Sequence, residues 1–133
     1  MRVIGVITPI KHIPQVVTLL ESKGSVVYLE QGSKQEVRNF LLDNEVTTLI
    51  CNPNQQSFII DKELLDGTQV NLINTCSTGL NHIDVEYCTL NEIEIYSLTK
   101  DLTLINDLPS TAELSFGLML SLLRKIPQSR EHI

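Results

Sequence analysis

The sequence predicts an α/β fold: an open, doubly wound sheet of five parallel strands. Short β-branched runs alternate along the chain with apolar residues at helical spacing, the pattern of parallel strands joined by crossover helices. Helix-capping signals fall between the two kinds of run. At 133 residues the chain fits one domain, long enough to bury a real core but short for a complete two-domain enzyme.

Arg2 to Ile7 is the expected first strand. Ile13, Val16, Val17 and Leu20 then repeat at i, i+3, i+4 and i+7, with Pro14 acceptable in a first turn and Gly24 a natural stop. Ser25 to Glu30 is the second strand, and Ser33 with Glu36 makes a capping-box pattern ahead of a helix carrying Val37, Phe40 and Leu41. Thr47 to Cys51 is a third strand, Asp61 to Leu65 a short helix and Val70 to Thr75 a fourth strand. Asp84 is placed to cap a short helix through Tyr87, and Ile93 to Leu98 closes as the fifth strand. Right-handed crossovers between parallel strands leave few topologies, so the expectation is a sheet of flavodoxin-like size.

Thr99 to Pro109 is the least regular stretch and a candidate domain junction. The helix expected after it, Ser110 to Ile126, opens on an S-x-x-E capping box formed by Ser110 and Glu113. On a helical wheel Glu113, Gly117, Ser121 and Arg124 line one narrow polar stripe, and apolar residues occupy most of the rest. One sheet cannot cover so much apolar surface, so this helix is expected to need partners, with homodimerisation one outcome.

Composition excludes several classes of function. The chain is 42% hydrophobic and 20% charged, ordinary for a globular protein. A net charge of −6 without clustered Lys and Arg argues against nucleic acid. No apolar run approaches a membrane span and no signal peptide is seen, so no membrane partner and a cytoplasmic location are expected. Cys51, Cys76 and Cys88 are odd in number and widely spaced, which favours reduced structural thiols over a zinc site or a disulfide framework, with a catalytic thiol the lesser alternative.

Ligands of open parallel sheets bind beyond the carboxyl ends of the strands. The loop after the first strand, TPIKHIP, has no GxGxxG, without which a pyrophosphate cannot approach the backbone closely. Glu30 stands where a ribose-binding acid would stand, but without the glycines it is an exposed strand-end charge. Two later loops hold more chemistry: Cys51-Asn52-Pro53-Asn54, and the segment from Cys76 through Ser77-Thr78-Gly79 to Asp84. A Ser-Thr-Gly turn can present backbone N–H groups to a carboxylate or phosphate. Spacing alone favours the plainer alternative, an ordinary turn satisfying its own backbone. His82 could act as a general acid or base, yet a lone loop histidine is usually polar surface. Asp61, Glu63 and Asp66 are explained more simply by a solvated acidic face than by a metal site.

The segment from Leu72 through Pro127, with its STGLNHID turn, IEIYSLT strand and STAELSFGLMLSLLRKIP helix, resembles the D-isomer-specific 2-hydroxyacid dehydrogenases, the phosphoglycerate dehydrogenase family. One departure is the connection TKDLTLINDLP, longer than in many members and without their Pro-Gly. The resemblance implies a flavodoxin-like substrate-binding domain over residues 1–98, with 99–133 as the hinge and interdomain helix leading toward an NAD-binding Rossmann domain. It implies that the amides of Ser77, Thr78 and Gly79 receive the carboxylate of a small 2-hydroxy or 2-oxo acid. Asn52, Pro53 and Asn54 would line the same cleft, and Thr111 would contact the NAD cofactor. It places the NAD fingerprint and the catalytic Arg, Glu and His beyond Ile133, so that no catalytic residue lies in this chain, which alone would be inactive. The alternative expectation is a non-enzymatic flavodoxin-like module that binds a small anion or dimerises.

Overall fold

A computed structural model describes residues 2–53, 57–107 and 109–126. The chain forms two compact units that divide between Lys100 and Asp101. In the first unit β1 (Val3–Val6), β2 (Ser25–Tyr28), β3 (Thr48–Cys51), β4 (Leu72–Thr75) and β5 (Glu94–Tyr96) make one sheet in the order β2-β1-β3-β4-β5. Every neighbouring pair is parallel, which is the predicted fold class. Each strand except β3 is at least two residues shorter than the run expected for it, although Ile7 and Leu29, just past β1 and β2, still donate to Ile50 O and Val6 O.

Helices α1 (Pro14–Glu21), α2 (Lys34–Asp43), α3 (Lys62–Leu65) and α4 (Val85–Leu90) connect the strands. Because side chains alternate along each strand, the sheet feeds two cores. Ile4, Val6 and Ile50 join Ile10 on one face, with Val16 and Leu20 of α1 against them. Ile7, Leu49, Cys51 and Ile73 pack on the other face with Val37 and Leu41 of α2, Leu64 and Leu65 of α3 and Cys88 of α4. Each such aliphatic side chain contributes about 1.5–3 kcal/mol on burial, so these helices are held by packing more than by propensity.

The local signals act as expected in this unit. Ser33 caps α2 by accepting from the Glu36 N–H, while its own N–H donates to the Glu36 carboxylate at 2.8 Å. That backbone N–H, then the Ser33 hydroxyl, hold the Glu36 carboxyl below its usual range. Asp84 caps α4 through the Tyr87 N–H at 2.9 Å, and α4 runs on to Leu90. Asp61 lies just outside α3 and accepts from the Leu64 N–H. The acidic group around α3 is not simply a solvated face: Lys34 of α2 donates to Asp61 at 2.9 Å and pairs with Glu63.

The second unit contains α5 (Leu102–Asn106) and α6 (Ser110–Leu123). Three expectations are corrected here. The stretch expected to be irregular carries a 3-10 turn, Leu98–Lys100, in the first unit and the whole of α5 in the second. The capping box of Ser110 and Glu113 does not form: Pro109 is the N-cap, Ser110 is already the first helical residue, and the helix has no side-chain cap. From inside the first turn the Ser110 hydroxyl is out of register for the N–H groups a cap must reach. The helix also stops at Leu123, short of Ile126, where Lys125 turns left-handed at φ 52°. Leu114, Phe116, Leu118, Leu120, Leu122 and Leu123 of α6 are exposed. Among the described residues no helix is long and apolar enough to cross a membrane.

Candidate functional site

The carboxyl ends of β3 and β4 are tied together where the chain leaves the sheet. Cys51 and Thr75 face each other in register, and the next N–H, that of Cys76, donates to Cys51 O at 3.0 Å. A one-rung parallel bridge, Ile60 to Ile83, closes the segments beyond, with Ile60 N–H donating to His82 O at 2.8 Å and Asp84 N–H to Ile60 O at 2.9 Å. Between these ties the chain from Ser77 to Asn81 rises over the edge.

In that rise Ser77 is half-buried, and Thr78 and Gly79 are exposed. The Ser77 carbonyl accepts from the Leu98 N–H at 3.0 Å. The backbone N–H groups of Ser77, Thr78 and Gly79 donate to no acceptor among the described residues. A methyl group built on Gly79 would meet nothing within 4 Å among the described residues, so the space beside its Cα is open. The expected ordinary turn, satisfying its own backbone, is only half of what is found: the Ser77 hydroxyl donates to Gly79 O at 2.8 Å, but the amides stay free.

A cleft of about 320 Å³ adjoins this edge, lined by Pro53, Ser57, Phe58, Ile59, Asn81 and His82. Its size is that of a small-molecule site, and none of these residues is ionised at neutral pH once His82 is neutral. Asn52 and Pro53 follow β3 directly and are half-buried. Asn54 lies outside the described residues. A larger hollow of about 600 Å³ is bordered by Arg38, Asp61, Lys62, Glu63, Asp66 and Asp84 among others. Its charges are mostly engaged with protein: Arg38 donates to the carbonyls of Glu63 and Leu64, and Lys34 holds Asp61. We place the site at the strand ends, where the Ser77, Thr78 and Gly79 N–H groups are unengaged among the described residues.

His82 corrects the sequence reading most sharply. It is no surface residue: it is 8% exposed, with Nε2 2.9 Å from Thr75 Oγ1 and 3.9 Å from Cys51 Sγ. Burial lowers its pKa below the usual 6.5, so the ring is neutral at pH 7. Burial likewise pushes the Cys51 thiol up to about 12 and the Cys88 thiol to about 11. Both remain thiols at neutral pH, and Cys76 is exposed with its pKa also raised by burial. Among the described residues no group of three or more His, Cys, Asp or Glu could hold a metal ion. A sequence signal for His82 did exist: Thr75 is a polar residue at the inward end of a buried strand, and such a hydroxyl demands a partner.

Against this geometry the comparisons are decisive for the family. Residues 5–105 match the family described as D-isomer specific 2-hydroxyacid dehydrogenase, catalytic domain. The chain belongs to that family. A candidate 2-hydroxyacid dehydrogenase of Staphylococcus saprophyticus is 27% identical over 122 residues, covering 87% of this chain and 35% of that protein. An acyclic imino acid reductase, solved with NADPH and D-Arg, superposes with a TM-score of 0.75 at 22% identity over 97% of this chain and 39% of its own. The D-lactate dehydrogenase of Aquifex aeolicus, solved with NAD and lactic acid, gives 0.66 at 19% identity over 98% of this chain and 36% of its own. At those identities the two structures show the fold alone. The chain thus spans little more than a third of the length of these relatives.

The loop after β1 lacks the glycine-rich cradle that a pyrophosphate needs. After β1 comes Thr8-Pro9-Ile10, in which Pro9 has no N–H and the Ile10 N–H donates to Thr8 O at 2.9 Å. No glycine stands between Gly5 and Gly24 to admit a pyrophosphate. Thr111 is exposed in the first turn of α6.

Proposed function

We propose that this chain is the substrate-binding part of an NAD-dependent oxidoreductase acting on the CH–OH group of a D-2-hydroxy acid, resembling phosphoglycerate dehydrogenase. The observation that carries this reading is the Ser77-Thr78-Gly79 turn, whose three N–H groups are unengaged among the described residues at the carboxyl end of β4, in a member of a 2-hydroxyacid dehydrogenase family. The amides receive the acid's carboxylate, as backbone nests do. Asn52 and Pro53 follow β3 at the same edge, and we assign them, with Asn54, to orienting the rest of the molecule. Holding the carboxylate fixes C2, so the chain contributes orientation rather than proton or hydride transfer. His82 is not assigned the proton: it is neutral, buried and engaged with Thr75.

We assign residues 1–98 to substrate binding and 99–133 to the connection toward a dinucleotide-binding domain, with Thr111 as this chain's contact to the cofactor. The catalytic Arg, Glu and His are assigned to other parts of the protein, and this chain by itself is inactive. The apolar surface of α6 is assigned to a second copy of the chain, and the unpaired thiols fit action in the cytoplasm. The test is NADH oxidation by the complete polypeptide with glyoxylate, pyruvate and hydroxypyruvate, alongside the 133-residue chain. The reading predicts turnover of at least one acid by the former and none by the latter. Absence of any NADH-dependent reduction by the complete polypeptide would defeat it.

A further inference from the structure

The Ser77–Gly79 turn is joined to the core by a series of side-chain hydrogen bonds whose proton order is fixed from its outer end. Gly79 O can only accept, so the Ser77 hydroxyl spends its hydrogen there, at 2.8 Å. Ser77 Oγ also lies 2.9 Å from Thr75 Oγ1, and with its own hydrogen committed it must accept from Thr75. Thr75 Oγ1 in turn lies 2.9 Å from His82 Nε2, so it receives a hydrogen from the ring. The imidazole must therefore carry its proton on Nε2. Cys51 Sγ, 3.9 Å from the same nitrogen, is a neutral buried thiol and a weak competitor for that proton.

We propose that His82, acting through Thr75, is a positioning residue that sets the substrate-carboxylate turn. His82 and Thr75 are both buried, and the His82 carbonyl is pinned by Ile60, so the inner end is rigid. At the outer end Thr78 and Gly79 are exposed, and among the described residues the Ser77 hydroxyl is the group that holds Gly79 O. That bond fixes the Gly79–Leu80 peptide, which adjoins the turn amides. Loss of the Nε2 donor removes the group that orients the Thr75 hydroxyl toward Ser77; Thr75 can then turn its hydrogen away, Ser77 loses its anchor to the core, and the peptide after Gly79 can rotate to bring its carbonyl toward the turn amides. The inference rests on the carboxylate reading of the turn.

The experiment is a titration of the 15N-labelled chain with pyruvate, read at the amides of Ser77, Thr78 and Gly79, in the wild type, Thr75→Val, Thr75→Ser, His82→Leu and His82→Gln. Imidazole 15N shifts of the free wild type report the tautomer. The inference predicts the Nε2–H form, saturable shifts at the turn, and a Kd weakened about 3–10-fold in Thr75→Val and His82→Leu, the loss of one hydrogen bond. Thr75→Ser and His82→Gln, which keep a hydroxyl and a donor, should stay within about twofold of the wild type. Saturable wild-type binding that folded Thr75→Val and His82→Leu match would overturn the positioning role alone. No wild-type shift at the turn would overturn the carboxylate reading and this role with it. The Nδ1–H tautomer would overturn the role whatever the variants do, even if Thr75→Val fails to fold.

Discussion

Two glycine-to-alanine substitutions, chemically identical, should behave oppositely. At Gly24, before β2, an added Cβ would lie 2.5 Å from the backbone oxygen of Arg2. That oxygen accepts the Ser25 N–H at 3.1 Å, at the rung where Val3 faces Ser25. Relieving the clash means opening the contact by about half an ångström between two backbones, which stretches this first hydrogen bond past useful length. The overpacking costs about 1–3 kcal/mol and the weakened bond about 0.5–1.5 kcal/mol. Restricting the unfolded chain returns about 0.4–1 kcal/mol. The net is a loss of about 0.5–4 kcal/mol with a midpoint of about 2 kcal/mol, which corresponds to about 8–16 °C in Tm for a unit of this size. At Gly79 nothing stands within 4 Å and the backbone is not left-handed, so Gly79→Ala should be neutral or stabilising by up to about 1 kcal/mol. Urea unfolding followed by far-UV circular dichroism measures both. A Gly24→Ala protein as stable as the wild type would refute the close approach of Arg2 to the turn before β2, and with it the β1–β2 register.

Further outcomes follow from the same contacts. Leu49→Ala, at a fully buried position of β3, should cost about 2–5 kcal/mol in the same urea experiment. The His82 pKa is lowered in the folded state, so the unfolded chain binds the extra proton below about pH 6.5. Stability should therefore fall as pH drops from about 6.5 toward the folded pKa, and His82→Gln should remove that slope. Burial pushes the Asp61 carboxyl up, but the Lys34 ammonium and the Leu64 N–H outweigh it and hold it low. Its contribution should be present above about pH 4 and lost as pH falls through the folded value, and Lys34→Met should flatten that loss in pH-dependent unfolding. An aromatic disulfide reagent should titrate Cys76 alone in the native chain and all three thiols after unfolding.

The strands were legible because a parallel sheet covered on both faces makes each one a nearly continuous apolar run. Their ends were not: Leu98 is as apolar as Ile95, but it begins a 3-10 turn and its N–H goes to Ser77 O instead of a strand neighbour. Caps at Ser33 and Asp84 could be recognised since every atom involved lies within four residues. The same S-x-x-E spelling failed at Ser110 because it does not say whether the serine stands before the helix or inside it. Ser77 to Gly79 could be marked as a turn, but the freedom of its amides depends on what Leu98 and Ser77 itself engage. The burial of His82 was hidden because Cys51 and Thr75 reach it only through the register of β3 on β4. Lys34 likewise finds Asp61 across 27 residues of sequence.

The central claim is that the turn after β4 receives a carboxylate. A crystal structure of the chain soaked with pyruvate tests it directly. The account predicts the carboxylate oxygens about 2.7–3.2 Å from the N–H groups of the Ser77–Gly79 turn, with His82 still bonded to Thr75. Pyruvate seated instead on Arg38 and Lys62, with the turn amides unoccupied, would contradict it.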